Sequence, residues 1–284
     1  MGKFDGVLLV SDLDWTLLSN NRTISIENIE AIKRFTDQGG IFTYITGRTF
    51  YQSITVLEQF TPAVPFGCIN GGGIYDPKTK NYLWSVQLDE SIMDLTAFVR
   101  SEFPNVGIEL CGFYESWYLQ TTPLSEFYKE YLYENSGVVP YANDSTRGAK
   151  TPLAKVYLYS ESDKMQCLME KLHAQPFATQ FELVRSGAEI YEIMPKGTTK
   201  GNCLLRLADI LVIPCHKTIA VGDNDNDVSM FRTAGMGIAV ANASEKAKAT
   251  ADLVLERTNN EHAIAEVIQK LEQGCLDRQE KFII

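Results

Sequence analysis

Short apolar runs alternate with amphipathic stretches at both ends of the chain. Residues 7–10, "VLLV", form a continuous apolar run that reads as a strand covered on both faces. In "SIENIEAIKRFTDQGG", Ile26, Ile29, Ile32 and Phe35 are spaced for one face of a helix, with Ser25 as its N-cap and Gly39-Gly40 as its stop. "IFTYIT" reads as a second strand, "RTFYQSITVLEQF" as a helix, and "FGCIN" as a third strand closed by the glycines of "NGGG". The rhythm returns after "EIMPKGTTKG" with the helix "NCLLRLADIL", the strand "TIAVGD", the helix "NDVSMFRTAG" and the short strands "MGIAV" and "DLVLE". A final helix is predicted to begin near Asn260 and run through "EHAIAEVIQKLEQG". Such alternation predicts a parallel sheet flanked by helices.

From about Tyr82 the pattern changes to aromatic-rich, partly alternating segments such as "ESWYLQTT", "LAKVYLYSES" and "FELVRSGAEIYEIMP", separated by helical stretches such as "DKMQCLMEKLHAQ". This predicts an α+β insert with an open, mostly antiparallel sheet. The expected organisation is an α/β, doubly wound, Rossmann-like core formed by residues 1–83 plus 194–284, interrupted by an inserted domain over 84–193. There is no internal repeat and no low-complexity linker.

With 284 residues, 45% hydrophobic and 22% charged, the composition is that of a globular protein with room for two cores. A net charge of −10 disfavours nucleic acid or an anionic membrane as partner. No apolar run approaches the roughly 20 residues that span a bilayer. The start "MGKFDGVLLVSDLD" lacks a signal-peptide pattern and has Gly6 where myristoylation needs Ser or Thr, so a cytoplasmic monomer or small homo-oligomer is expected. The six cysteines contain no CxxC pair, and the adjacent Cys215-His216 has no second pair at zinc spacing.

Polar constellations follow several of the apolar segments: Asp12-x-Asp14-x-Thr16, Thr46-Gly47-Arg48, Lys200, and Gly222-Asp223-x-x-Asn226-Asp227. In an open parallel sheet the C-terminal ends of neighbouring strands share one crevice, so residues distant in sequence can form one site. Two carboxylates one residue apart repel unless a cation lies between them. Clustered carboxylates describe a Mg²⁺ site, while a lysine, a hydroxyl and glycine-exposed N–H groups describe a phosphate cradle. Together they point to phosphoryl transfer. One carboxylate can attack phosphorus, and a second can protonate the leaving oxygen and later deprotonate water. Arg48 is equally compatible with substrate contact or a salt bridge; Asn70 reads as a turn residue, Asp225 as an N-cap, and Phe113, Tyr114, Trp117 and Tyr118 as sheet packing.

The ordered set "DLDWTLL", "ITGR", "INGGGIYD", "EIMPKGTTKG", "VGDNDND" and "AVANASEKAKATAD" resembles the haloacid dehalogenase superfamily, specifically its Cof-type sugar-phosphate phosphatases with an α/β cap (the C2B type). The resemblance implies a Mg²⁺-dependent phosphatase acting on a small phosphorylated metabolite through an aspartyl-phosphate, with the cap closing over the site and reading the substrate. It implies Asp12 as nucleophile and metal ligand, and Asp14 as general acid/base and backbone-carbonyl metal ligand. Thr46, with Gly47 and Arg48, would contact the phosphoryl group. Lys200 would neutralise that group and orient Asp12. Asp223 would ligate the metal, with Asn226 and Asp227 completing its surroundings. The chain departs from the related pattern at Trp15, where Gly or Asn is common, and at "TNNEHAIAEVI", where a "dGV" segment is common. A phosphomutase on the same core, or a retired phospho-ligand binding protein, are the alternative readings.

Overall fold

The computed structural model describes residues 2–133 and 151–276. It divides into two compact units: Met1–Gly47, Val56–Trp84 and Thr199–Ile284 form the first, and Arg48–Thr55 with Ser85–Thr198 form the second. Arg48–Thr55 therefore group with the inserted unit, although the sequence pattern left them in the first domain.

The chain enters the first unit through strand β1 (Leu8–Ser11), buried along its whole length. Helix α1 (Ile26–Asp37) starts where the Ser25 hydroxyl accepts the Asn28 N–H. Its inward face is Asn28, Ala31, Ile32 and Phe35, while Ile26 is 61% exposed. The buried face thus starts two residues later than the apolar spacing predicted. Asn28 turns inward because its Oδ1 accepts the Ala265 N–H at 3.0 Å, serving the open end of a distant helix. Strand β2 (Ile41–Tyr44) follows, and a 3-10 turn (Tyr51–Ser53) and the short helix α2 (Ile54–Gln59) replace the longer helix expected over residues 48–60. Strands β3 (Phe66–Cys68), β4 (Gly73–Asp76) and β5 (Asn81–Ser85) make a small sheet of order β3-β4-β5, joined to the end of β2 by a parallel Ile45–Gly67 bridge.

The second unit holds α3 (Ile92–Glu102), β6 (Gly107–Gly112), β7 (Ser116–Gln120), α4 (Pro123–Tyr133), β8 (Leu153–Tyr159), α5 (Ser162–His173), β9 (Phe181–Arg185) and β10 (Ile190–Pro195). The strands run antiparallel in the order β7-β6-β8-β10-β9. Strand alternation sorts the side chains. Leu110, Trp117, Val156, Leu158 and Ile193 pack against Leu95, Val99, Leu168 and Leu172 of α3 and α5. On the other side Cys111, Tyr118, Tyr157 and Tyr159 meet Leu124, Tyr128 and Leu132 of α4. That layer also buries charge: Lys155 pairs with Glu192 at 2.8 Å, and Glu109 accepts hydrogen bonds from the Tyr159 and Tyr133 hydroxyls. Partnering of this kind is what makes buried charge tolerable.

The chain returns to the first unit through α6 (Lys200–Leu211), capped by Thr199, then β11 (Thr218–Gly222), α7 (Val228–Thr233), β12 (Met236–Ala239), α8 (Glu245–Thr250), β13 (Leu253–Val254) and α9 (Ala263–Glu272). The main sheet is parallel throughout, in the order β13-β12-β11-β1-β2. The last helix starts at Ala263, after a 3-10 turn over Asn259–Glu261 and a left-handed His262 with φ 66°. The departure from "dGV" falls at this turn, where glycine would take such a φ without strain. No helix among the described residues is long and apolar enough to cross a membrane.

Candidate active site

The parallel register brings the motif residues to one edge of the main sheet. Ser11 lies opposite Val221 of β11 and Tyr44 of β2, so Asp12, Asp223 and Thr46 all follow the C-terminal ends of adjacent strands. The Asp12 N–H donates to the Val221 carbonyl at 2.8 Å, which holds the start of the loop. Lys200 is the first residue of α6, where the helix dipole disfavours a cation, and its buried ammonium reaches Asp12 Oδ1 at 2.8 Å and Asp227 Oδ1 at 2.6 Å. Asp227 also accepts the backbone N–H groups of Asp223 and Asn224 on Oδ2, each at 3.0 Å. Gly222 makes this possible, since a Cβ there would lie 2.4 Å from Asp227 Cγ. Asp223 Oδ1 accepts the Thr16 hydroxyl at 2.9 Å, tying the first motif to the last.

These carboxylates crowd one lysine. Burial, reinforced by the charges of Asp227 and Asp14 and opposed by Lys200, pushes the Asp12 carboxyl up to about 7. Burial and the neighbouring Asp227 and Asp12 push Asp223 up to about 9. For Lys200, burial acts to lower the pKa, but Asp12 and Asp227 outweigh it and hold the ammonium above its ordinary range. One carboxylate oxygen from each of Asp12, Asp223 and Asp227 lies within 4.8 Å of the others, all three residues being buried. Hard oxygen donors, an excess of negative charge and a small separation suit a small divalent cation. Because both Asp227 oxygens already accept hydrogen bonds, Asp12 and Asp223 are the better placed to give a cation direct contact.

Asp14 is half-buried, in extended backbone, and is followed by Trp15 in the left-handed region at φ 61°. Thr46 is buried; its N–H donates to the Gly67 carbonyl, and its carbonyl accepts the Asn70 N–H. Gly47 faces the Asn70 side chain, since a Cβ there would stand 3.2 Å from Asn70 Oδ1. Asn226 Nδ2 donates to Asn70 Oδ1 at 3.0 Å, which leaves Asn70 Nδ2 and Asn226 Oδ1 buried without a partner among the described residues. Whichever way the two amides are turned, one NH₂ remains to donate to a ligand. Asn70 is both the left-handed turn residue expected, at φ 49°, and a polar neighbour of the site, a second role its place in "INGGG" does not reveal. Thr16 was visible in the first motif, but its bond to Asp223 required the fold. Arg48 belongs to the second unit, where its guanidinium donates to the Gln52 carbonyl at 3.1 Å. Asp225 stands apart from the cluster, bonded to the Ser244 hydroxyl and to Lys246, and the N-cap there is Asn224.

Comparison with known proteins agrees with this architecture. A 5-amino-6-(5-phospho-D-ribitylamino)uracil phosphatase, YwtE, from Bacillus subtilis is 29% identical, the match covering 93% of this chain and 97% of the relative. The phosphatase YwpJ from the same organism is 28% identical over 93% of this chain and 99% of its own. A crystal structure of a haloacid dehalogenase-like hydrolase from Bacteroides thetaiotaomicron superposes with a TM-score of 0.80 at 26% identity, covering 93% of this chain and 99% of that one. The family description "haloacid dehalogenase-like hydrolase" matches residues 9–268, nearly the whole of both units. The chain is therefore an enzyme of the haloacid dehalogenase-like hydrolase family, and it belongs there by sequence and fold.

Proposed function

We propose that the protein is a Mg²⁺-dependent phosphatase that hydrolyses small phosphorylated metabolites, sugar phosphates foremost, through an aspartyl-phosphate on Asp12. The observation that carries this reading is the buried Asp12–Lys200–Asp227 chain beside Asp223, with an amide group of the Asn70–Asn226 pair that has no partner among the described residues. The phosphatase names of its curated relatives, one of them acting on a phosphorylated ribityl compound, support the same class of substrate.

In the first step an Asp12 carboxylate oxygen attacks phosphorus while the ester P–O bond breaks, and Asp14 gives its proton to the leaving alkoxide. In the second step Asp14, now ionised, takes a proton from water as that water attacks the aspartyl-phosphate, releasing inorganic phosphate and restoring Asp12. Lys200 keeps Asp12 oriented and offsets charge on the phosphoryl group. Thr46, Gly47 and Asn226 hold its oxygens, and Arg48 completes the set of groups assigned to the substrate. Asp12, Asp223 and the Asp14 carbonyl would hold the Mg²⁺, with Asp227 behind them. The ion would supply positive charge to the phosphoryl oxygens and relieve carboxylate repulsion.

The test is a phosphate-release screen over sugar phosphates, nucleotides, phosphoserine and cofactor phosphates, with Mg²⁺ present and withheld. Turnover that needs Mg²⁺ and falls below detection in Asp12→Asn is expected. Wild-type rates in that variant would overturn the nucleophile assignment. Conversion of a hexose phosphate to its isomer without phosphate release would identify a phosphomutase instead.

A further inference from the structure

Trp15 lies between Asp14 and Thr16 in a left-handed conformation, φ 61° and ψ 8°, which costs a non-glycine residue about 1–2 kcal/mol. Its side chain is 51% exposed, so packing does not dictate the conformation. Backbone contacts do. The Leu18 N–H donates to the Leu13 carbonyl at 2.8 Å, closing the loop. The Trp15 carbonyl accepts the Asn242 side-chain Nδ2 at 2.9 Å. Asn242 is held from behind, because its Oδ1 accepts the Asn259 N–H at 2.9 Å. The amide orientation follows without ambiguity: a backbone N–H can only donate and the Trp15 carbonyl can only accept, so Oδ1 must face Asn259 and Nδ2 must face Trp15. Asn259 is itself buried and donates its Nδ2 to the Leu18 carbonyl and to Asn20 Oδ1, each at 3.0 Å.

The loop is therefore anchored on both sides of Asp14. Asp12 is fixed through Val221 and Lys200, and Thr16 through Asp223. Between these anchors the Trp15 dihedrals set the direction of Asp14. We infer that Asn242, backed by Asn259, is a positioning residue for Asp14: it holds the strained Trp15 carbonyl and so aims the Asp14 carboxyl at the leaving-group oxygen. This inference rests on the reading of Asp14 as the general acid.

The experiment compares phenyl phosphate, whose leaving group needs a proton, with p-nitrophenyl phosphate, whose leaving group departs well without one. Asp14→Asn is the control and must lose far more rate on the first substrate. Asn242→Ala should lower kcat on phenyl phosphate about tenfold, the equivalent of one hydrogen bond, and on p-nitrophenyl phosphate by less than about threefold, with KM unchanged. Asn242→Asp should behave alike while keeping the acceptor for Asn259, which guards against a folding defect. Trp15→Gly relieves the left-handed strain, so in that background the loss from Asn242→Ala should shrink. Equal losses on both substrates, no loss, or an undiminished loss beside Gly at position 15 would overturn the positioning role. A control Asp14→Asn that treats both substrates alike would overturn the acid assignment instead.

Discussion

Asp12 and Asp14 look interchangeable in the string "SDLDWT", but the fold makes them unequal. Asp12 shares a buried lysine with Asp227, whereas Asp14 is half-buried beside a left-handed tryptophan. The raised pKa values have a consequence for stability. Burial is the largest of the effects that push the Asp12 and Asp223 carboxyls from the ordinary 3.8 up to about 7 and about 9 in the folded state. The folded state therefore keeps protons that the unfolded state has released, and stability present below the unfolded pKa is lost as pH rises through the folded values. In the absence of divalent cation the melting temperature is expected to fall across this window. Added Mg²⁺ should raise it by an increment that grows from pH 5 to pH 9, as thermal denaturation at several pH values can measure. A Mg²⁺ increment independent of pH would contradict cation binding at these carboxylates.

At the level of elements, capping residues settled where α1 and α6 begin, and long-range partners settled which side of α1 faces inward. Ser25 caps α1 as its type and position require, and Thr199 caps α6 in the same way, its side chain accepting the Asn202 N–H. The inward face of α1 was not legible, because an apolar Ile26 is exposed while a polar Asn28 is buried to serve the first turn of α9. Asn28→Ala should leave the Ala265 N–H unsatisfied and cost about 1–2 kcal/mol in equilibrium denaturation, with the substrate chemistry unchanged. The second unit repeats the lesson: alternation revealed its strands, but a buried Glu109 or Lys155 looks in sequence like any solvent-facing charge.

For the whole molecule, the chain divides into two compact units, and the second has its own buried apolar cluster. Leu158 is fully buried in the second, among Leu110, Val156 and Leu168. Leu158→Ala should remove about 2–5 kcal/mol of local stability. Hydrogen exchange should show the loss in β6 and β8 while β1 and β11 keep their protection, because a local opening is felt within one cooperative unit. Equal loss of protection in both units would show that they unfold as one.

The sequence by itself determined the α/β rhythm, the insert and the polar residues that follow the strands, because side-chain period, capping and turn chemistry act over a few residues. Family membership followed from the same motifs. The tertiary structure alone decided how those residues pair: the Thr16 hydroxyl with Asp223, Lys200 with both Asp12 and Asp227, Asn226 with Asn70, and Asn242 with the carbonyl of Trp15. Thr16 and Asp223 are 207 residues apart, and Trp15 and Asn242 are 227 apart. Sheet order and register bring them together, and no local propensity encodes either one. Trp15, which carries no assigned role in the motif, is the clearest case: its type says nothing of a left-handed backbone, and in the fold the Leu18–Leu13 bond closes its loop while Asn242 donates to its carbonyl.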